Sequence, residues 1–451
     1  MGLARGEIAR KVVHIGCVGF AFLLRYMNGA QAAAMAAAAF VFNWLVLPRI
    51  GGKAIWRGAD HAKGYPAGIL LYPLSVLGLT LWFWSSLWMA AAIWGVLAVG
   101  DGMASVVGQA AGGPRLPWNE KKSYAGLVAF VGFGTLAAAV LIAWTARLPL
   151  DLASWHAERT VSLAFAVSLA CALVESLPTT LDDNLTVPLA GALVFPLFAQ
   201  VDPQMLGTDP GLGGRVAAGL VVNGLIALGA WWARSIDVAG ALSAVVIGTA
   251  ITAGLGLPSL GLMITFFVVG TAATRIGYRI KAARGIAQEG GGARGWRHAW
   301  ANAGVPAFLA LLAGATAVPL RDLLVLAYAG AVATAAADTC SSEVGKAYGR
   351  RTFLITSLRA VPPGTEGAVS LEGTLGGLLG ALIVAAVGAA LGVYSWPLAA
   401  LVTLAGLLGS LAESVIGTVA ERRGWLDNNL LNALNTAIGA GFAVLLVHMS
   451  R

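Results

Sequence analysis

The sequence predicts an all-α, polytopic integral membrane protein with about fifteen transmembrane helices, arranged as two parallel seven-helix repeats joined by a linking helix. Three observations predict it. Of 451 residues, 58% are hydrophobic and only 11% are charged, which excludes an ordinary soluble globular chain. Apolar runs of roughly 17–22 residues recur along the chain, each long enough to cross about 30 Å of hydrocarbon as a helix. Finally, an acidic motif at 100–112, GDGMASVVGQAAG, is echoed at 337–349 by ADTCSSEVGKAYG, at an offset of 237 (338 less 101).

Taken in order, spans are expected near 12–28, 30–48, 66–84, 87–107, 125–146, 160–179 and 184–200, then a linking span near 213–233. Seven more are expected near 236–254, 257–274, 301–318, 321–339, 372–393, 395–415 and 430–448. The corresponding domains are 1–205, a linking segment 206–235, and 236–451. The 59 glycines and many alanines suit closely packed membrane helices. Cys17, Cys171 and Cys340 lie far apart in apolar surroundings, with neither metal-binding spacing nor a disulfide framework. The polar N-terminus MGLARGEIARK has no small-residue cleavage site, so no removed signal peptide is expected.

Basic loops orient the chain. Arg49, Lys53, Arg57 and Lys63 share one loop, and Arg115, Lys121 and Lys122 the next. Arg275, Arg279, Lys281, Arg284, Arg294 and Arg297 fill a third, read as a solvated topology determinant, followed by Lys346, Arg350, Arg351 and Arg359. Counting spans puts all four on the side of the N-terminus, expected to be cytoplasmic, and the Asp202–Asp209 connection opposite. Trp82, Trp84 and Trp88 fall where an outer aromatic belt is expected.

The repeat concentrates acidic groups at that cytoplasmic face. Asp101 aligns with Asp338, Ser105 with Ser342, Gly108 with Gly345 and Gly112 with Gly349, each carboxylate expected at the end of the fourth helix of its half. Glu175 aligns with Glu413, and Leu181–Leu185 (LDDNL) matches Leu426–Leu430 (LDNNL) after a seven-residue insertion. A carboxylate in a membrane helix is costly unless paired or metal-bound, so its retention in two related settings points to two related sites. Acidic residues there can hold Mg²⁺ against nucleotide phosphates. Basic residues such as Lys122, helped by Lys121, can neutralise phosphate. Small residues such as Gly100, Gly102 and Gly126 let backbone amides approach oxyanions. Phosphoryl transfer rests on positioning and electrostatics of this kind. In the second half Val369 stands where the first has Lys122, and Arg359 is the nearest substitute, so the two sites are expected to take different substrates.

These residues reach known families. Arg10-Lys11-Val12-Val13-His14, GDGMASVVG, PWNEKKSYAG (117–126) and ESLPTTLDDNLTVPL (175–189) resemble the phytol and dolichol kinases, polyprenol kinases related to CDP-diacylglycerol synthases, over roughly residues 5–200. ADTCSSEVG (337–345), PPGTEGAVS (362–370), EGTLGG (372–377) and NNLLNALNT (428–436) resemble the phytyl-phosphate kinases over roughly 235–451. The resemblance implies a bifunctional membrane enzyme. Its first half would phosphorylate a prenyl alcohol with CTP and Mg²⁺, and its second would carry the prenyl phosphate to the diphosphate. The residues it implies as catalytic are Asp101, Lys122, Glu175, Asp338 and Glu413. Metal ligands would come from Asp101, Asp182, Asp183, Asp338, Glu343, Glu372 and Asp427. Substrate and nucleotide would meet Arg10, Lys11, His14, Gly100, Gly102, Lys121, Ser123, Gly126 and Asn184 in the first half. Ser342, Arg359, Gly364, Thr365, Gly367, Ser370, Gly373 and Asn429 would do so in the second. Relatives of the first half often carry Glu where Ala125 stands; the second half keeps its acid, Glu372. The expected partners are these lipids, CTP and the surrounding membrane, with no nucleic acid.

Plainer roles stand beside these. Asp101 and Asp338 are alternatively helix-end residues paired with loop cations, and Glu175 and Glu413 inter-helix hydrogen bonders. His14 with Arg10 and Lys11 reads equally as an interfacial anchor, Lys121 and Lys122 as topology residues, and Asp182, Asp183 and Asn184 as a helix cap. Rival functions are a cytidylyltransferase making a CDP-lipid and a transporter. The latter is disfavoured because transporter sites usually lie at the bilayer midplane.

Overall fold

The computed structural model describes residues 5–50, 56, 60, 64–148, 155–202, 205, 207–287, 295–420 and 423–450. Lys53, Arg57, Lys63, Gly290–Gly292 and Arg294 lie outside the described residues. The chain is predominantly helical and divides into two units, Met1–Gln200 and Val201–Arg451.

In the first unit α1 (Arg5–Gly16) is followed by short helical turns at Val18–Ala21 and Phe22–Tyr26, then α2 (Gly29–Val41) and α3 (Ala67–Trp82). Helix α4 (Leu87–Gly95) passes through a π-helical turn, Val96–Asp101, directly into α5 (Gly102–Ala111). A two-stranded antiparallel hairpin, β1 (Arg115–Leu116) and β2 (Asn119–Ser123), leads to α6 (Tyr124–Thr145), α7 (Trp155–Glu175) and α8 (Asp183–Phe198). Helix α4 lies at the centre. Its residues Ala91, Ala92 and Ile93 and the following Val96, Leu97 and Ala98 are fully buried, as expected of a helix apolar on every side.

The second unit comprises α9 (Leu212–Trp232), α10 (Val238–Arg275), α11 (Tyr278–Ala283), α12 (Trp296–Gly314) and α13 (Leu320–Tyr348). The hairpin β3 (Phe353–Leu354) and β4 (Ala368–Val369) then precedes α14 (Leu371–Ala390), α15 (Trp396–Ala420) and α16 (Asn428–Met449). Helix α13 is the central element, with Tyr328, Ala329, Ala331–Ala333, Ala336 and Ala337 fully buried. Small residues let its neighbours approach: a Cβ at Gly377 would meet Ala337 O at 2.9 Å, and one at Gly406 would meet Ala333 C at 3.0 Å.

Ten helices among the described residues are long and apolar enough to cross a membrane. The difference from fifteen lies in five segments. The run 12–28 is interrupted, and Ala67–Trp82 and Asp183–Phe198 are shorter apolar helices. Helix α12 opens on Arg297, His298 and Asn302 and is not among the ten. The expected pair 236–254 and 257–274 is present as the two halves of α10, which count once among the ten because the chain stays helical up to the break between them. The helix breaks at Gly256 (φ 80°), and Arg275 at its end donates to Ser235 Oγ just before its start, at 3.2 Å. Its halves therefore fold back on one another.

The helix expected as a link, α9, lies within the second unit, where a Cβ at Gly219 would lie 3.1 Å from Thr249. One further expectation is corrected. Asp101 and Asp338 do not end their helices. Small residues after each carboxylate keep the chain helical to Ala111 and Tyr348, ten residues further, or about 15 Å at 1.5 Å per residue. Trp82 and Trp84 are exposed, whereas Trp88 turns inward against Phe195.

Candidate active site

In the first unit five elements bring charge to one point. The π-helical turn, a feature frequent at functional sites, delivers Asp101, which is buried. Helix α7 ends on Glu175 and α8 begins with Asp183, and one carboxylate oxygen from each of these three residues lies within 4.8 Å of the others. Strand β2 adds Lys122, whose ammonium donates to Glu175 Oε1 and stands 3.5 Å from Asp183 Oδ2. Helix α1 adds Lys11, 3.7 Å from Asp101 Oδ2, and His14 Nε2, 3.4 Å from the same oxygen.

The supporting contacts explain the convergence. Asn119 Nδ2 donates to Ser176 O (3.0 Å) and Leu177 O (3.3 Å), and Trp118 Nε1 donates to Ser176 Oγ. These bonds pin the hairpin to the end of α7 and hold Lys122 over Glu175. Lys11 Nζ also donates to Ser105 Oγ at 2.7 Å. His14 sits 3.1 Å from Leu97 O and edge-on to Tyr72, whose hydroxyl accepts from Trp94 Nε1. Helix α1 reaches this close because Gly102 has no side chain; a Cβ there would lie 2.4 Å from Ile15 Cγ1. Burial alone pushes the Lys122 ammonium down in pKa, but Glu175 and Asp183 together outweigh it and hold the pKa above its ordinary value.

Several expected residues fall elsewhere. Asp182 is the N-cap of α8, accepting from Asn184 N at 3.0 Å, and is not in the cluster. Asn184 ties α8 to α3 through Gly68 O and Ser75 Oγ. Gly100 faces the Phe130 ring, and Gly126 lies against Ala104 O and Gly108, so their small size serves helix packing. Ser123 caps α6 through Gly126 N. Lys121 is exposed, and Arg10 is half-buried.

The second unit repeats the local frame. Ser370 caps α14 through Gly373 N (3.0 Å), as Ser123 caps α6 through Gly126 N (3.1 Å). Gly345 and Gly108 are the matching contact points against these caps. Here the frame encloses a cavity of about 260 Å³ lined by Asp338, Ser342, Glu343, Gly364, Thr365, Gly367, Ser370, Gly373 and Glu413 among others. The loop carrying Gly364 (φ 89°) and Gly367 (φ 71°) follows a path that side chains resist. A Cβ at Gly367 would also lie 2.4 Å from Thr418 Cγ2.

The expected second metal set does not assemble. Among the described residues only Asp101, Glu175 and Asp183 form a cluster of three possible ligands. Glu343 is paired with Lys281 of α11, both side chains nearly fully buried; Lys281 also donates to Thr274 O at 2.8 Å. Lys281 is thus an interior residue, not a solvated loop cation. Glu372 accepts weakly from Arg350 N (3.4 Å) and Asp427 caps α16 through Leu430 N; neither lines the cavity, nor do Arg359 and Asn429. Sequence reasoning assigned no site role to Lys346, Glu366, Asn432 and His298, which do line it. Glu366 lies inside the PPGTEGAVS string, the signal that could have found it.

The fold defines a helical integral membrane protein with a buried, cation-framed carboxylate cluster. Residues 221–440 match the family described as Integral membrane protein DUF92. An uncharacterized membrane protein of Synechocystis sp. is 43% identical over 200 residues, covering 44% of this chain and 78% of that protein. The chain belongs to this family. It is also similar to a probable phytol kinase 2, chloroplastic, of rice (35% over 210 residues) and to a farnesol kinase, chloroplastic, of Arabidopsis thaliana (33% over 207). Each of those alignments covers 43% of this chain and 66% of the relative. No solved structure matches the chain.

Proposed function

We propose that this protein is a membrane-embedded lipid kinase that phosphorylates a prenyl alcohol to the monophosphate in its first unit and the monophosphate to the diphosphate in its second, with CTP as donor and the sites on the cytoplasmic face of the cell membrane. The observation that carries the reading is the convergence of Asp101, Glu175 and Asp183 within 4.8 Å beside Lys122 and Lys11. The names of the rice and Arabidopsis relatives support the substrate class.

The donor set fits Mg²⁺, which prefers hard oxygen ligands and tolerates carboxylates brought this close. Asp101, Glu175 and Asp183 would hold the ion, which when bound neutralises nucleotide phosphate oxygens. Lys122 keeps two of the carboxylates in place and remains positively charged toward the phosphoryl oxygens. Lys11 and His14 orient Asp101. The lipid hydroxyl oxygen forms a bond to the γ-phosphorus as the bond to the β-phosphate oxygen breaks, leaving CDP. The hydroxyl proton passes to a carboxylate of the cluster. In the second unit Asp338, Glu366 and Glu413 share the cavity with Lys346, the nearest counterpart to Lys122 among its lining residues.

The test uses purified protein with CTP, Mg²⁺ and labelled geranylgeraniol, separating the lipid products by thin-layer chromatography. Asp101→Asn should abolish monophosphate formation and leave conversion of supplied monophosphate intact; Asp338→Asn should make monophosphate accumulate. If neither substitution separates the steps, the division of labour fails. A CMP-bearing lipid with pyrophosphate release would select a cytidylyltransferase. Flux of substrate across vesicles without nucleotide consumption would select a transporter.

A further inference from the structure

Beside the polar cavity of the second unit lies an apolar one of about 120 Å³, walled by α9, α10 and α12. The two share His298, in the first turn of α12. Asn302, one turn on, donates to His298 O at 3.0 Å and stands 3.5 Å from its Nε2, so a polar pair marks the junction. On one side of His298 the walls carry Asp338, Thr339 and Ser342. On the other they carry Ile247, Leu260, Met263 and Phe267. Ala227, Gly240 and Ala244 leave the space between these bulky groups, while Gly248 makes room for Asn223, which also lines it.

We propose that this apolar cavity seats the first part of the hydrocarbon tail of a prenyl phosphate whose head occupies the polar cavity, with His298 at the boundary between them; this rests on the second unit acting on a prenyl phosphate. The change from polar to apolar lining across one residue matches the change along such a lipid from phosphate to hydrocarbon. A dry cavity with apolar walls takes apolar groups and not water. The space, about 120 Å³, is small enough to take only the part of the tail next to the head. The rest of the chain continues along the outer face, where Leu225, Leu242 and Val246 are more than half exposed. The cavity therefore reads the branching next to the head and leaves chain length largely unmeasured.

The experiment uses the full chain in phospholipid nanodiscs and a geranylgeranyl monophosphate bearing a diazirine on its first isoprene unit, with adducts mapped by mass spectrometry. Adducts are expected on Met263, Phe267 or Ala303, displaced by unlabelled geranylgeranyl phosphate but not by added phospholipid. Ala244→Phe and, independently, Ala303→Leu should each lower this labelling about tenfold; a variant whose thermal midpoint falls by more than a few degrees is set aside for the other. Adducts confined to Leu225, Leu242 and Val246, no adducts in the cavity, labelling equally displaced by phospholipid, or labelling unmoved by both substitutions would overturn the proposal. Adducts in the cavity without any turnover would instead remove the kinase reading and keep the tail site. Turnover with adducts elsewhere would do the reverse.

Discussion

Lys122 stands between two carboxylates, its ammonium on Glu175 and 3.5 Å from Asp183, on a strand that Asn119 fastens to the residues just after Glu175. The lysine is 31% exposed, so the contribution is discounted for solvent to about 1–2 kcal/mol. Because its folded pKa lies above the ordinary 10.5, that stability is complete below 10.5 and is lost as pH rises through the folded value. Lys122→Met should lower the thermal midpoint in detergent by a few degrees, by a constant amount from about pH 9 to about pH 10. The gap from wild type should then close in more alkaline buffer. A gap unchanged at the alkaline end would show that charge on Lys122 is not what stabilises the hairpin.

Gly102 and Ile15 set how closely α1 approaches the cluster, since a Cβ at position 102 would lie 2.4 Å from Ile15 Cγ1. Gly102→Ala should push α1 outward and carry Lys11 and His14 away from Asp101. Displacement of an ångström in such a site costs on the order of ten- to a hundredfold in rate, read as monophosphate formation. The double variant Gly102→Ala with Ile15→Ala should recover most of it. No recovery would place the effect on α5 itself and not on the seating of α1.

The sequence made the carboxylates and their repeat legible because a charged residue inside an apolar run is conspicuous. Asp101 and Glu175 stand out this way, Asp183 through the repeated LDDNL and LDNNL strings and Lys122 as a basic-loop residue after the acidic motif, and the four converge. What escaped was direction. Asp182 and Asp183 are indistinguishable in a string, yet one turns back to cap its helix while the other faces the cluster. Lys281 looked like one cation among many in a basic loop, because burial against Glu343 depends on a partner 62 residues away. The glycines were legible as small but not in purpose, since only the packed structure shows Gly102 under Ile15 and Gly367 under Thr418. The ends of α5 and α13 ran past their expected limits because Ala, Gly and Ser after each acid are compatible with helix and carry no stop signal.

The Lys281–Glu343 pair is nearly sealed from solvent, at 1% and 4% exposure. Removing one partner of such a pair leaves a buried charge and costs about 3–5 kcal/mol, whereas replacing both with apolar groups is often neutral. Lys281→Met should therefore destabilise the protein strongly in a urea titration in detergent. Lys281→Met with Glu343→Leu should restore most of the loss. If the restored double variant still converts prenyl monophosphate, Glu343 is structural. If it folds but cannot, the carboxylate also serves the cavity that it lines.

Asp182 offers a choice between capping and metal binding. Its Oδ1 accepts from Asn184 N at 3.0 Å, and the cluster forms without it. Asparagine caps a helix about as well as aspartate, while alanine costs roughly 1 kcal/mol. A pure cap predicts that Asp182→Asn keeps both stability and monophosphate formation within about twofold, and that Asp182→Ala lowers the melting temperature by a few degrees. A metal ligand predicts the opposite ranking, with Asp182→Asn stable but requiring far more Mg²⁺. Titrating Mg²⁺ against activity for Asp182→Asn and Asp183→Asn separates these cases: the half-saturating concentration should rise sharply for Asp183→Asn and stay near wild type for Asp182→Asn. Equal shifts in the two variants would return Asp182 to the metal site.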